Sequence, residues 1–349
     1  MKIGDRSIDG DSVFFIAEAG INHGGDLDRA RELVDVAADA GADAVKFQTY
    51  VTDRIVATDA PKADYQDSQA GEDTSQRELL QQYELGPEDH RELEAYCEST
   101  GITFLSSPFD EESADLLDRL DVDAIKIGSG ELTNHPLLEH VAALGRPMIV
   151  STGMATMEEV TGAYEAIRTA NPDVEIAFLH CVSSYPAALD DVNLRAMETM
   201  AEELPVPVGY SDHTTAVETP GLAVAAGARI IEKHFTLDRN LAGPDHAASL
   251  EPDELSRAVS LARDAVTARG EPTKQPVAAE LDTQAVSRKS LHAARKIQQG
   301  ERLTEDAVAI LRPATGLVPT ELESVLGRRV NSELDPDEPI TADVIEGDR

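Results

Sequence analysis

The feature that most constrains the fold is a regular alternation of short apolar runs with amphipathic segments, from the start of the chain to about Arg269. The segments between the runs carry Leu, Val and Ala at spacings of three and four, which is typical of helices that bury one face. Apolar runs that alternate with helices indicate parallel strands covered on both faces. Eight such runs are present, at 13–20, 44–50, 102–109, 124–130, 147–153, 176–186, 207–213 and 229–235.

This alternation predicts the fold class. Eight strand–helix units in about 260 residues favour an α/β fold of the (β/α)8 TIM-barrel type over an open doubly wound sheet, which more often shows an early Gly-rich phosphate loop. We assign residues 1–270 to this barrel as the catalytic domain. The long polar stretch 51–84, which follows the second run, is predicted to be a loop over the barrel mouth.

A different pattern begins after the barrel. Residues 271–285 contain two prolines and no strand pattern, which predicts a linker, and residues 286–349 are predicted to form a small C-terminal domain. Within that domain KIQQGERLTEDAV (296–308) recurs as ELDPDEPITADVI (333–345). Each copy predicts a strand, a turn and a one-turn helix capped by its threonine, Thr304 or Thr341. A domain this small has a thin core and is expected to need a partner surface.

The charge excludes two classes of partner. The chain has 66 acidic and 30 basic residues and a formal net charge of −36, which repels nucleic acids and anionic membranes. We interpret the acidic surplus as a halophilic adaptation, since salt screens the self-repulsion. Two cysteines, Cys97 and Cys181, are too few for a disulfide framework. No apolar run is long enough to span a membrane and the first residues lack a signal-peptide pattern, so a cytoplasmic location is expected.

Polar side chains collect where the predicted strands end, which is where a barrel of this kind has its active site. Three of the eight lysines of the chain, Lys46, Lys126 and Lys233, lie in these runs. A buried ammonium group is costly unless an anion meets it, so the lysines predict an anionic ligand. A single serine at a strand end is more often a turn or cap residue. Together with two inward lysines, Lys46 and Lys126, the serines of these runs predict a phosphate or carboxylate pocket.

Two histidines form a second group. His213 and His234 end neighbouring runs, so both imidazoles could reach one divalent cation, with Glu18 as a third ligand or as a partner of bound water. The alternative is a pair of core histidines satisfied by hydrogen bonds. Adjacent strand residues point in opposite directions, so Lys233 packs outward if His234 faces the barrel axis. Half of a structural ion pair beside Glu232 is then the alternative role for Lys233.

Several motifs, in order along nearly the whole chain, resemble the sialic acid synthase family, which makes N-acetylneuraminate, legionaminate and pseudaminate. They are FIAEAGINHGG, VKFQTY, KIGSGE, STGM, YSDHT and EKHFTLDRNLAGPDHAASLEP, and the tail SRKSLHAARKIQQGERLTEDAVAILRP is similar to an antifreeze-like SAF domain. The resemblance implies condensation of phosphoenolpyruvate with an N-acylated hexose. It also implies a divalent metal ion, with manganese expected and magnesium or cobalt as alternatives. It further implies a domain-swapped homodimer in which each SAF domain covers the partner's barrel.

The resemblance also implies roles for individual residues. His213 and His234 would be the metal ligands, with Glu18 an active-site carboxylate near the metal. The phosphate of phosphoenolpyruvate would contact Lys46, Lys126, Ser151 and Ser211, and its carboxylate Ser107 and Ser129. The sugar would contact Gln48, Glu131, Tyr185 and Asp245, and Arg312 would reach its acyl group across the dimer. Glu131 or Glu18 would activate water. Ser183 stands where some neuraminate synthases have asparagine, which leaves the identity of the sugar open.

Two other functions remain open at the level of sequence. A Schiff-base pyruvate aldolase would use a barrel lysine such as Lys126 to form an imine and would need no metal. A non-catalytic protein that binds saccharides through its C-terminal domain would use the barrel only as a scaffold. A scaffold does not require ionisable residues at several strand ends, which favours an enzyme.

Overall fold

The N-terminal part of the protein is built around eight parallel strands. A computed structural model describes residues 1–8, 12–57, 60 and 75–346 and divides the chain into two compact units, Met1–Gly270 and Glu271–Arg349. Each of the eight apolar runs forms one strand. They are β3 (Phe14–Gly20), β4 (Ala44–Thr49), β5 (Thr103–Pro108), β6 (Ile125–Ile127), β7 (Met148–Ser151), β8 (Ile176–Cys181), β9 (Val208–Asp212) and β10 (Ile230–His234). A short antiparallel hairpin, β1 (Lys2–Ile3) and β2 (Arg6–Ser7), precedes them.

The strands form a near-closed barrel. The hydrogen-bonded order is β5-β4-β3-β10-β9-β8-β7-β6, in which β3 and β10, the first and last strands of the barrel, are neighbours. The strands at the two ends of this order, β5 and β6, contact each other. This arrangement confirms the predicted TIM-barrel fold.

Helices follow the strands and cover the outside of the barrel. Their bounds are α1 (Leu27–Asp39), α2 (Thr52–Ile55), α3 (Gln76–Tyr83), α4 (Pro87–Thr100), α5 (Glu111–Arg119), α6 (His135–Leu144), α7 (Met157–Ala170), α8 (Ala196–Glu203), α9 (Thr219–Ala225) and α10 (Pro252–Arg269). Of the predicted loop 51–84, residues 58–59 and 61–74 lie outside the described residues, and α2 and α3 occupy part of the remainder. Within the described ranges, no helix is long and apolar enough to cross a membrane.

The inside of the barrel changes character along its axis. Because successive strand residues point to opposite faces, every second residue of a strand faces inward. The inward residues nearest the strand starts are apolar and pack together, among them Phe14, Ile16, Ala44, Leu105, Ile149, Ala177 and Ile230. The same alternation, continued toward the carboxyl ends, places Glu18, Lys46 and Glu232 inward. The interior of the barrel is thus apolar near the amino ends of the strands and carries ionisable side chains near their carboxyl ends.

The C-terminal unit has a small core of its own. It contains α11 (Leu281–Ser287), β11 (Ser290–Ala293), β12 (Val308–Leu311) and α12 (Leu322–Val325), with β11 and β12 antiparallel. Residues 278–287 form a 3-10 turn and α11, so part of the segment predicted as a linker is helical. Each copy of the predicted repeat has its one-turn helix after Thr304 or Thr341, but neither threonine side chain makes the predicted capping hydrogen bond, and an isolated bridge stands where strands were predicted. The matched residues Ile297 and Leu334 pair with each other through two backbone hydrogen bonds.

Candidate active site

A cavity of about 500 Å³ opens at the carboxyl ends of the barrel strands. Its walls include all but two of the side chains that the sequence predicted for the site. They are Glu18, Lys46, Gln48, Ser107, Lys126, Ser129, Ser151, Ser183, Tyr185, Ser211, His213, His234 and Asp245. Residues far apart in sequence therefore meet in one place, as the predicted pocket requires.

Strand register decides which of these side chains are direct neighbours. Glu18 lies opposite Lys46 in the β3–β4 pair and opposite His234 in the β3–β10 pair. Glu232 lies opposite Ser211 in the β9–β10 pair. These in-register pairs bring carboxylates, an ammonium group, a hydroxyl and an imidazole onto one inner ring of the barrel.

Both inward lysines are paired with carboxylates of the chain. Lys46 Nζ lies 2.8 Å from Glu18 Oε2 and 3.7 Å from Glu232 Oε2, and it donates a hydrogen bond to Ser107 Oγ at 3.1 Å. Lys126 Nζ lies 3.3 Å from Glu232 Oε1. Burial of these two ammonium groups therefore does not by itself require an anionic ligand, because Glu18 and Glu232 already meet them.

The two carboxylates of this cluster differ in acidity. Burial raises the pKa of Glu18 to about 7, although Lys46 opposes the shift. Burial also acts to raise the pKa of Glu232, but Lys126 and Lys46 outweigh it and lower that pKa to about 2. Glu232 is therefore a permanent anion, whereas Glu18 changes charge near neutral pH. A carboxyl group with a pKa near 7 suits general acid–base chemistry.

The third strand lysine, Lys233, serves the structure and faces away from the barrel axis. It is fully buried and pairs with Asp212 Oδ2 at 2.7 Å, its in-register neighbour on β9. Its Nζ also donates to the carbonyl oxygens of Thr214 and Ala216. The outward direction and the ion-pair role were predicted correctly, but the partner is Asp212 and not Glu232. This pair fixes the loop that carries His213.

Replacing Lys233 with Met is expected to lower the free energy of unfolding by about 3–5 kcal/mol, because Asp212 would remain buried without its cation. Urea unfolding at fixed salt measures the change. The double variant Lys233→Met/Asp212→Asn removes both charges and should lose less stability than the sum of the two single variants. Strictly additive losses would show that the two side chains do not act as a pair.

Serine side chains line the cavity beside the lysines. Ser211 Oγ donates to Glu232 Oε1 at 2.8 Å. Ser151 Oγ is buried and has no hydrogen-bond partner among the described residues. Ser129 Oγ accepts the Gly153 N–H at 3.0 Å, and a Cβ at Gly153 would lie 2.2 Å from Ser183 Oγ. Glycine in the STG motif therefore lets the backbone pass close to two site serines.

The two histidines are arranged as a pair. Their ring centroids lie 5.1 Å apart. His213 Nδ1–H donates to the Val182 carbonyl oxygen at 2.7 Å, so the neutral form of this ring carries its lone pair on Nε2. Burial acts to lower the pKa of His213, but its contact with the Cys181 thiol outweighs this and raises that pKa. His234 Nδ1 is buried and has no hydrogen-bond partner in the part of the chain that the structure describes. Burial lowers the pKa of His234 well below its ordinary value, so this imidazole is neutral and able to act as a ligand.

These observations test whether the site fits a divalent ion. His213 Nε2 is not engaged by the bond to Val182, and His234 Nδ1 has no hydrogen-bond partner among the described residues. Asp245 Oδ2 lies 3.9 Å from His234 Nδ1. No group of three or more His, Cys, Asp or Glu side chains within the described residues is placed to hold a metal ion. The residues therefore fit as two imidazole ligands, with the remaining positions left to water or substrate oxygen. Glu18 as a third protein ligand finds no support in this geometry.

The predicted sugar contacts divide into two groups. Gln48, Asp245 and Glu18 converge on Gly20, where a Cβ would lie 3.6, 3.6 and 3.1 Å from their nearest atoms. Tyr185 packs on His213 with ring centroids 4.2 Å apart. Glu131, by contrast, is not among the described residues that line the cavity, and its carboxylate accepts a hydrogen bond from Asn134 at 2.7 Å. Its predicted contact with the sugar stays a prediction.

Arg312 was the second residue missing from the cavity walls. It lies in the C-terminal unit, directly after β12, and its side chain is exposed. Its predicted role depends on a partner subunit and stays a prediction.

Two ionisable residues of the cavity wall, Glu232 and Cys181, were not predicted as site residues. Glu232 is the larger omission, although it stands two positions before His234 and so shares its inward direction. The alternation that separated Lys233 from His234 was sufficient to find it. Cys181 also lines the cavity, with Sγ 3.5 Å from Ser129 Oγ and 3.7 Å from His213 Nδ1.

The fold and site define an α/β-barrel enzyme with a charged cavity, followed by a small C-terminal domain. Residues 33–274 match the NeuB family, and residues 288–346 match the SAF domain. The chain belongs to the NeuB family, the family of sialic acid synthases. This membership favours an enzyme over a non-catalytic saccharide-binding protein.

Similar proteins carry related names. The N,N'-diacetyllegionaminic acid synthase of Legionella pneumophila is 45% identical over 326 residues, which cover 93% of this chain and 92% of that protein. The N-acetylneuraminate-9-phosphate synthase of Homo sapiens is 36% identical over 335 residues, which cover 95% of this chain and 92% of that protein. The crystal structure of N-acetylneuraminic acid (sialic acid) synthetase from Leptospira borgpetersenii, in complex with citrate, has a TM-score of 0.73 and 37% identity. The matched region covers 81% of this chain and 94% of the Leptospira chain.

Proposed function

We propose that the protein condenses phosphoenolpyruvate with an N-acylated hexose, N-acetylmannosamine or a related diacetamido sugar, and water. The products are a nonulosonic acid and phosphate. The observation that carries the proposal is one cavity whose wall contains two lysines, two histidines and a buried serine that has no hydrogen-bond partner among the described residues. The names of the similar synthases support the class of product.

The cavity offers separate places for the parts of phosphoenolpyruvate. The phosphate would be held by two cations and two hydroxyl groups in the wall of the same cavity. These groups belong to Lys46, Lys126, Ser151 and Ser211. Ser107 and Ser129 would hold its carboxylate. The N-acylated hexose would contact Gln48, Tyr185, Asp245 and Ser183 nearer the mouth.

The reaction then follows from positioning and charge. The enol carbon of phosphoenolpyruvate attacks the aldehyde carbon of the sugar, and the carbon that bears the phosphate becomes electron-poor. The former aldehyde oxygen takes up a proton to become a hydroxyl group. Water loses a proton to a carboxylate and adds to the electron-poor carbon, and the tetrahedral intermediate expels phosphate with cleavage of the carbon–oxygen bond. A divalent ion held by His213 and His234, with manganese expected, would polarise the aldehyde oxygen. Lys46 and Lys126 stabilise the phosphate as it leaves.

A product assay tests the proposal. Purified protein is incubated with phosphoenolpyruvate and each of several N-acylated hexoses, with manganese, magnesium, cobalt or a chelator, and phosphate release and product mass are measured. We expect release that depends on both sugar and metal, and a product mass equal to the sum of the three substrates minus phosphate. Phosphoenolpyruvate labelled at its bridging oxygen should pass the label to phosphate. Metal-dependent release without any sugar product would contradict the proposal.

Glu131→Gln is expected to abolish turnover without unfolding the protein if Glu131 activates the water. The residue ends the 3-10 turn Ser129–Glu131, directly after the cavity residues Ser129 and Gly130. Glu18→Gln is the paired test, since Glu18 already lines the cavity with a raised pKa. Near-normal turnover in the Glu131 variant, with loss in the Glu18 variant, would move the role to Glu18.

The proposal includes a domain-swapped homodimer in which the partner subunit's Arg312 contacts the acyl group of the sugar. Light scattering tests the oligomeric state. Mixed dimers give a sharper test: inactive Lys126→Met and Arg312→Ala chains should regain up to half of the activity when combined. One of the two sites in such a dimer is intact. No recovery in a verified mixed dimer would place the Arg312 contact within one chain or remove it.

The Schiff-base alternative keeps one specific observation in its favour. Burial lowers the pKa of Lys126, which makes an amine a better nucleophile. Borohydride reduction in the presence of pyruvate would trap an imine on Lys126 and add the mass of the reduced adduct. Our proposal predicts no such adduct.

A further inference from the structure

The phosphate site of the proposed function already contains an anion that belongs to the chain. Three of the four side chains assigned to the phosphate converge on Glu232. Lys126 Nζ lies 3.3 Å from its Oε1, Ser211 Oγ donates to Oε1 at 2.8 Å, and Lys46 Nζ lies 3.7 Å from Oε2. A buried carboxylate thus occupies the meeting point of the groups that would hold the phosphoryl group.

The Glu232 carboxylate does not satisfy all the polar groups around it. Ser151 Oγ is buried with no hydrogen-bond partner in the described ranges, and the same is true of Glu232 Oε2. The Lys46 Nζ to Glu232 Oε2 separation is beyond ordinary hydrogen-bond length. A carboxylate has two oxygens, whereas a phosphoryl group has three terminal ones. The donors that Glu232 leaves unused therefore suit a larger anion.

The charges of the cluster oppose an incoming anion. Lys46 and Lys126 contribute two positive charges, and Glu18 and Glu232 can contribute two negative ones. A phosphoryl dianion that enters this buried ring meets like charge at short range, which is costly where water does not screen it. Phosphate can take its full set of contacts only if Glu232 gives up its own.

We infer that Glu232 is an internal competitor of the phosphoryl group for Lys46, Lys126 and Ser211. It holds these three groups in place before substrate binds, gives them up to phosphoenolpyruvate, and takes them back as phosphate leaves. The inference rests on the proposed function and adds to it: the chain itself limits the affinity for phosphate and so favours release of this product.

Phosphate binding to Glu232→Gln tests this directly. Glutamine has nearly the same shape, and its amide oxygen can still accept from Ser211, but the negative charge is removed. We expect inorganic phosphate to bind at least about tenfold more tightly than to the unaltered protein at the same ionic strength, as measured by calorimetry. Phosphate should also become a correspondingly stronger product inhibitor. Glu254→Gln is the matched control, because Glu254 pairs with Arg239 outside the cavity lining and should leave phosphate affinity unchanged.

A second variant keeps the test independent of the amide group. Glu232→Ala leaves room for a small free carboxylate, so added acetate should compete with phosphate in this variant and return the phosphate affinity toward that of the unaltered protein. Acetate at the same concentration should have little effect on phosphate binding to the Glu254→Gln control. Thermal unfolding of both Glu232 variants checks that they are folded.

The outcomes separate this inference from the proposed function. If the unaltered protein releases phosphate from phosphoenolpyruvate but folded Glu232→Gln binds phosphate equally or more weakly, the competitor role is wrong and the proposed function stands. If the unaltered protein neither binds phosphate nor consumes phosphoenolpyruvate, both are wrong. Tighter binding in Glu232→Gln, with competition by acetate in Glu232→Ala, supports the inference.

Discussion

Replacing Lys126 with Met should lower kcat/KM for phosphoenolpyruvate by at least about 10³-fold. The side chain is buried in the cavity wall, and in the proposed reaction its ammonium group balances charge on the departing phosphate. The substitution also leaves Glu232 with a single cation, Lys46 at 3.7 Å, so its repulsion of phosphate would rise. Loss of attraction and gain of repulsion act in the same direction.

Steady-state phosphate release at saturating sugar measures the effect of Lys126→Met. Lys2→Met is the matched control, because Lys2 is an exposed lysine of β1 and does not line the cavity. Its variant should retain the kcat/KM of the unaltered protein. A loss of less than about tenfold in folded Lys126→Met would contradict the assignment of this lysine to the phosphate.

Replacing His213 with Ala should weaken manganese binding by at least about 100-fold and remove metal-dependent turnover. The imidazole presents Nε2 toward the cavity because Nδ1 is committed to Val182. His234 would then be the only remaining imidazole ligand, and one nitrogen ligand cannot hold the ion against water at micromolar concentration. Titration followed by electron paramagnetic resonance measures the affinity directly and does not depend on activity.

His180→Ala is the control for His213→Ala. His180 lies on the neighbouring strand β8, outside the lining of the cavity, and its Nε2–H donates to the Val192 carbonyl oxygen at 2.8 Å. Its loss should leave manganese affinity unchanged. An unchanged manganese titration in folded His213→Ala would remove His213 from the ligand set, and the metal would then have to bind elsewhere.

Much of the fold could be predicted because strands and helices leave local signals. All eight apolar runs form strands, because a strand buried on both faces has a continuous apolar sequence whichever strand it pairs with. The direction of individual side chains was also predictable, because alternation along a strand depends only on backbone geometry. It correctly turned Lys233 away from the axis and His234 toward it. The same rule, applied once more, would have included Glu232.

The candidate site was predictable as a collection of residues but less so as a set of contacts. Thirteen of its predicted members line one cavity, whereas Glu131 lies against Asn134. The orientation of Glu131 depends on a short turn after β6 and on a local hydrogen bond, neither of which has a periodic signal. Arg312 lies in the C-terminal unit with an exposed side chain, and its predicted role across a dimer stays a prediction.

The sequence by itself determined the eight strands and the residues that face inward, because both follow from periodicities within short segments. Only the tertiary structure decided the partner of each charge. Lys46 meets Glu18, Lys126 meets Glu232 and Lys233 meets Asp212. These partners follow from strand register and barrel closure, which place side chains from distant parts of the chain within a few ångströms. No local pattern encodes that distance, so the contacts of Glu232 with Lys46, Lys126 and Ser211 became visible only in the folded barrel.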